Sequence, residues 1–372
     1  MSLGDLVQYV VTGLLVGGVY ALMSIGLALI FGVMRVVNFA QGDFMMLGMY
    51  LTYFLTTAYG IDPRLGAVLI LPPFFLLGVA VHRVLLARVT GGGDPQRLMD
   101  TQLILTLGLS LIITNGTTML LTPMPRAIKT TYATQAFAVG PVLMNEARSY
   151  AFVMALLLAG VVYVFLTRTD LGKALRAAAD EPEAAGYQGI DVRAMHGLAF
   201  GVGIALVAAA GGLLATYHPI EPTVAVNFIV LMFVAVVLGG LGSIPGAFAG
   251  GLVIGIVQSL TLLVLPFQLQ NVGVFIAFLL VLYLRPQGLF GQRLRAVQCR
   301  ARAPRDREAS FQSRSSSWPA SRSRSCSASA ITIASSPSCS SGRRWGSPGT
   351  SSAATPDRPR SATRPSSAWA PT

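Results

Sequence analysis

Val7-Gln-Tyr-Val-Val-Thr-Gly-Leu-Leu-Val-Gly-Gly-Val-Tyr-Ala-Leu-Met-Ser-Ile-Gly-Leu-Ala-Leu-Ile-Phe-Gly-Val33 is an apolar run that follows Asp5 and meets no charge before Arg35. A helix crosses a bilayer with about 20 mainly apolar residues, so this run alone is long enough to span. No basic segment precedes it and no small-residue cleavage site follows, so it is expected to be a retained span and not a secretory signal. Eight more runs of this kind follow: 38–59, 65–87, 101–121, 150–167, 194–217, 225–242, 245–264 and 269–285. The expected fold class is therefore an all-α polytopic membrane protein with eight or nine transmembrane helices. The number turns on Gly242-Ser243, where the seventh and eighth runs are either two full spans or one span and a re-entrant piece. Pro72-Pro73 and His82-Arg83 predict a kink in the third run and a basic interfacial end.

Composition agrees. Apolar residues make up 53% of the chain and charged residues 11%, against about 25% charged in soluble domains. The charge is unevenly placed. Residues 1–290 are nearly neutral, with 13 basic and 12 acidic residues, whereas 291–372 hold 14 Arg, no Lys and 3 acids. The overall +12 belongs to that tail, and it is no nucleic-acid footprint of residues 1–290. All three cysteines (Cys299, Cys326, Cys339) and all three tryptophans (Trp318, Trp345, Trp369) are also in the tail. Two domains are thus expected: 1–290 in the membrane, and a Ser/Arg/Pro-rich 291–372 that cannot bury enough apolar surface to fold. The tail reads either as out-of-frame translation or as a basic arm lying on anionic lipid or binding nucleic acid.

Lys and Arg set the orientation. With the N-terminus outside and the C-terminus in the cytoplasm, Arg35, Arg83, Arg88, Arg97, Arg168, Lys173, Arg176, Arg193 and Arg285 are cytoplasmic. Arg64, Arg126, Lys129 and Arg148 face the other side.

Three stretches carry chemistry. In Arg35-Val-Val-Asn38-Phe-Ala-Gln41-Gly42-Asp43, three polar side chains stand between two apolar runs. A helix break at Gly42 would let Asn38, Gln41 and Asp43 share one cavity as a solute path or gate. The other reading is an interfacial turn with Asp43 capping the second span. In the loop from Thr169 to Ile190, two short helices are expected, the second opening with Asp180 as N-cap and Glu183 completing a capping box. Ala184 and Ala185 give it a small face, and Gly186 and Gly189 end it. Gly239-Gly240-Leu-Gly242-Ser243-Ile-Pro245-Gly246 brushes against a dinucleotide fingerprint, but it lies between membrane runs without a βαβ unit. It is expected to be irregular backbone lining a helix crossing or the solute path. No G-x-x-x-x-G-K-[ST] occurs in the chain, so ATP must be bound elsewhere. Residues 1–290 also offer no nucleophile–base set for an enzyme. A proton-coupled transporter using Asp43 remains as an alternative mechanism.

Residues 1–290 resemble the branched-chain amino-acid ABC transporter permeases of the LivH type. Val36 to Phe44 is similar to that family's VNFAxG(E/D)F stretch, with Gln41 where His is commoner. Glu183-Ala184-Ala185 and Gly189 match the first half of the EAA-x₃-G importer signature, whose second half is not present. Gly239 to Gly251 and Leu284 to Phe290 complete the resemblance, and Phe290 lies near where family members end. The resemblance implies a permease without a cofactor of its own, a second homologous permease subunit, two ABC ATPase subunits that hydrolyse ATP, and an extracytoplasmic solute-binding protein. It makes Asp180, Glu183, Ala184, Ala185 and Gly189 the ATPase-coupling residues. The implied solute is a branched-chain or other small amino acid, the alternative being urea or a short amide.

Overall fold

The computed structural model describes residues 3–89, 95–121, 124–128, 135–139, 142–285 and 288–290; the expected tail 291–372 and Lys129 lie outside these. All nine apolar runs are helical. They form α1 (Leu3–Met34), α2 (Gln41–Tyr59), a composite of α3 (Pro63–Leu69), α4 (Leu71–Val81), a π-helical turn (His82–Leu86) and α5 (Ala87–Val89), then α6 (Pro95–Leu121), α7 (Glu146–Arg168), α10 (Val192–Leu214), α11 (Val224–Gly239), α12 (Ile244–Thr261) and α13 (Gln270–Leu284). Two short helices, α8 (Asp170–Asp180) and α9 (Pro182–Tyr187), join α7 to α10. Seven helices are long and apolar enough to cross a membrane among the described residues. Of the other two, α2 has 19 residues, and α11 has 16, about 24 Å of helix.

Lipid gives helices no hydrophobic reason to associate, so their contacts depend on close backbone approach at small side chains. That is how the core is built. A Cβ added to Gly255 would overlap the backbone of Gly17, and one on Gly251 would overlap Ala21, so α12 lies antiparallel along α1 with almost no side chain between them. On another side of α1, Gly26 and Gly203 exclude each other's Cβ against α10. α10 in turn receives α2, with Gly48 at Ala208 and Gly211 at Met45. α1 and α10 are buried nearly throughout as a result, whereas α6 and α13 turn most of their residues outward.

Contacts sort the loops onto two ends. At the end holding the start of α1, Gln8 exchanges two hydrogen bonds with the backbone of Leu143, and Arg64 pairs with Glu146 at 2.9 Å. There too Arg126 bridges Ile220 through the backbone. At the opposite end Gly32 meets Gly242, the His82 ring lies beside Gly197, and α8 sits under α1, α7 and α10. The alternating course of the sequence reading is therefore observed, and α11 and α12 form a hairpin that traverses from end to end. One feature was not anticipated. A hairpin of β1 (Ala136–Val139) and β2 (Val142–Asn145) precedes α7, with Ala136 opposite Asn145.

The glycine contacts make a direct prediction. Gly255→Val should cost about 1–3 kcal/mol through overpacking and lower the melting temperature of the detergent-purified protein. Gly160→Val, where a Cβ meets nothing within 4 Å, should melt like the parent. Equal melting of both variants would mean that α1 and α12 do not approach this closely.

Candidate functional site

The chain leaves α1 through Arg35, the one non-glycine residue with positive φ (54°) among those described. Its N–H bonds to Phe31 O at 2.8 Å, closing the helix with a left-handed residue where glycine is usual. Residues 35–40 then run back into the bundle alongside α11. Gly32 lies at Gly242, just beyond the last turn of α11; the Phe39 ring packs on Phe233 midway along it at 5.6 Å; and Gly42 presses on Ala225 O in its first turn. This corrects the reading of an interfacial turn. The break also falls before Gln41, so Gly42 is inside α2 and does not interrupt it. Asp43 makes no capping bond, and the N-cap is Ala40.

Non-helical backbone at membrane depth must find its own partners, and Asn38 supplies one. Its Oδ1 accepts from Ala40 N–H at 3.1 Å, and its Nδ2 donates to Gln41 Oε1 at 3.0 Å. Gln41 is fully buried, and its Nε2 has no hydrogen-bond partner among the described residues. Asp43 does not join this pair. It turns to α6, where Thr114 Oγ1 donates to Asp43 Oδ1 at 2.6 Å and Ser110 lies one turn earlier on the same side. Asp43 is 2% exposed and forms no ion pair with a described residue. The expected single polar cluster is thus two adjacent ones on different faces of α2.

Gly239, Gly240, Gly242 and Ser243 sit elsewhere, at the Gly32 end of the bundle. Gly240 (φ 108°, ψ 119°) adopts backbone open essentially to glycine alone, and Gly242 is left-handed at φ 80°. Ser243 caps α12 by accepting from Gly246 N–H at 3.2 Å. The turn is tight because Gly239 and Gly246 exclude each other's Cβ. The carbonyls that α11 leaves free are taken by Leu289 N–H (to Leu238, 2.8 Å) and Phe290 N–H (to Gly239, 3.0 Å). Residues 288–290 therefore belong to the fold.

The loop beyond α7 has its own start signal. Thr169 Oγ1 accepts from Gly172 N–H at 3.1 Å, and Asp170 pairs with Lys173 at 2.9 Å on the exposed surface. That hydrogen bond and the ammonium charge hold the Asp170 carboxyl below its ordinary range. The capping box is not made. Pro182 drives the preceding residue out of helical backbone, so Glu181 is extended (φ −138°, ψ 91°) and becomes the N-cap of α9, without a side-chain bond. Asp180 is instead the last residue of α8. Pro182 occupies the first turn as expected, and α9 ends at Tyr187 with Gly189 at φ 83°. Asp180, Glu183 and Gly189 are exposed and Ala184 is half-buried. Ala185 is buried against the protein itself, so it anchors α9 and cannot be part of the displayed face.

Residues 9–284 match the family described as "Branched-chain amino acid transport system / permease component". The chain belongs to this family. The permease is 31% identical to the high-affinity branched-chain amino acid transport system permease protein BraD of Pseudomonas aeruginosa, over 77% of this chain and 95% of that protein. It is 28% identical to the LivH permease protein of Escherichia coli over the same shares, and 31% identical to a probable LivH of Methanocaldococcus jannaschii over 64% of this chain and 76% of that one. No solved structure matches it.

Three features of the permease escaped the sequence reading. Along α6, Gln102, Thr106, Ser110, Thr114 and Thr118 recur every fourth residue, and this spacing was a usable signal. Tyr187 stands 89% exposed at the end of α9; nothing in the pattern separates it from a buried tyrosine. His82 and His196 meet with ring centroids 6.4 Å apart, a contact between helices that no local pattern contains.

The turn at Gly240 yields the next prediction. Gly240→Ala should destabilise the permease by about 1–3 kcal/mol, since the backbone there is closed to a Cβ. Gly186→Ala on α9, which faces open space, should not. Thermal melts of the two variants decide it, and an unchanged Gly240→Ala melt counts against this turn geometry.

Proposed function

We propose that this chain is the inner-membrane permease subunit of an ATP-driven importer of branched-chain or other small amino acids. It works beside a second homologous permease subunit and receives its solute from an extracytoplasmic binding protein. Two separate ATPase subunits bind and hydrolyse the ATP, seated against α8 and α9. The N-terminus is outside and α9 is cytoplasmic, as the excess of Lys and Arg at the α9 end suggests.

The observation that carries this reading is the form of the 169–191 loop within a chain of this family. α9 is anchored from below by Ala185 and fixed at its start by Pro182. Asp191 pins the restart of α10 by accepting from Arg193 and Ala194 N–H at 3.0 and 3.2 Å. What remains outward is an acid, Glu183, and an aromatic ring, Tyr187. A rigid short helix that keeps an aromatic residue in water is what a docking surface needs, because such residues dominate interface energies. The solute class follows the relatives, which are branched-chain amino acid permeases. Urea or a short amide is the competing solute, and titration of the purified binding protein with leucine and urea separates them.

Exposed surface changes alter stability by no more than about 0.5 kcal/mol, so variants on α9 report docking and not folding. Glu183→Lys and Tyr187→Ala should each reduce ATP-driven uptake into proteoliposomes about tenfold or more, with the permease still inserted and melting normally. Full uptake by both variants would remove α9 from the coupling role.

A further inference from the structure

α6 is attached to the bundle differently from the other helices. α1, α10 and α12 are joined by backbone-to-backbone approach at glycines, whereas Gly108 and Gly116 of α6 meet nothing within 4 Å. Besides Leu109 and Ile113, which pack on the core, α6 carries the polar series Gln102, Thr106, Ser110, Thr114 and Thr118, of which Gln102 and Thr106 are buried. The middle of this series faces one carboxylate, that of Asp43.

The row has a spacing of four residues, close to one helical turn, or about 5.4 Å along the axis. Thr114 bonds Asp43, and Ser110 is near the same carboxylate. The hydroxyls one turn to either side are satisfied on their own helix: Thr106 Oγ1 donates to Leu103 O at 3.0 Å, and Thr118 Oγ1 donates to Thr114 O at 2.8 Å. A hydroxyl is a rotor that exchanges one acceptor for another without breaking a close-packed contact. If α6 moves by one turn, Asp43 exchanges the Thr114 hydroxyl for an equivalent one of the same series. The displaced hydroxyl returns to a carbonyl of its own helix. The two registers therefore differ little in hydrogen bonding, which is the condition for a two-state element.

We infer that Asp43 is a positioning residue for transport: it holds α6 through an interchangeable ladder of hydroxyls, so that α6 steps by one turn between two registers during the transport cycle. The inference rests on the permease reading above, because the cycle is that of the importer. It assigns work to Thr106 or Thr118, neither of which bonds Asp43 in this structure. A static role for the seam gives them none.

The test uses the full chain assembled with its ATPase, second-permease and binding-protein partners in proteoliposomes. Cys299, Cys326 and Cys339 are changed to Ser, and spin labels are placed on Tyr59→Cys and Leu120→Cys, both at exposed positions on α2 and α6. The expected result is two distances about 5 Å apart whose proportions change when ATP is added. Thr106→Val or Thr118→Val, each isosteric, should reduce uptake about tenfold, the scale of one lost hydrogen bond to a charged group, and leave only the resting distance. Asp43→Asn, which still accepts from hydroxyls, should keep both distances. A single distance throughout the cycle, or parental uptake in the Thr106→Val, Thr118→Val double variant, overturns the ladder. If the parental complex itself takes up nothing on ATP, the permease reading fails first and the ladder with it, so the two failures are told apart.

Discussion

Close approach of backbones at glycine is the constraint on which the rest of this structure depends. In hydrocarbon, apolar side chains gain nothing from leaving the solvent, so association must come from dispersion at short range and from polar contacts. α1 meets this demand on two sides at once, through Gly13 and Gly17 against α12 and through Gly26 against α10. Because α10 also receives α2 at Ala208 and Gly211, the four helices form one body. Each glycine matters through the atom it lacks.

That body makes the interrupted start of α2 possible. Residues 35–40 bring unpaired backbone groups to membrane depth, an arrangement tolerated only where protein surrounds it. Here α11 lies alongside, Asn38 satisfies Ala40 N–H, and the left-handed Arg35 redirects the chain. A non-glycine residue in that conformation costs roughly 1–2 kcal/mol. It persists because the flanking helices are fixed independently of the turn. The break places two polar groups with different needs side by side, the Asn38–Gln41 amide pair and the Asp43 carboxylate, and sends them to different neighbours.

The helices themselves were largely legible in the sequence. The run expected at 194–217 is α10 at Val192–Leu214, and that at 38–59 is α2 at Gln41–Tyr59. Length and hydropathy suffice because every backbone group in lipid must be bonded within its own segment. Sequence position within the site was less legible. A capping box at Asp180 was a sound local pattern, but the restriction that Pro182 imposes on Glu181 is also local and stronger. Asn38, Gln41 and Asp43 were recognised as a group, yet which neighbour each would face depends on where the chain re-enters the bundle, and no periodicity encodes that. The fourfold spacing on α6 is present in the sequence, but Asn115 and Thr117 lie within it, and only the approach of α2 marks Thr114 out from them.

Two kinds of attachment thus coexist in one chain, and they differ in what happens when they are displaced. A glycine contact falls off with separation as dispersion does, so shifting α12 along α1 by one turn would set Gly255 and Gly251 against larger neighbours and open voids that nothing fills. A hydroxyl-to-carboxylate contact has discrete alternatives, because each threonine can bond either across the seam or to its own helix. The inferred step of α6 therefore belongs to a seam where polar groups, and not backbones, do the joining. Among the described helices, the α2–α6 seam is the one where a buried carboxylate faces a row of hydroxyls at one-turn spacing.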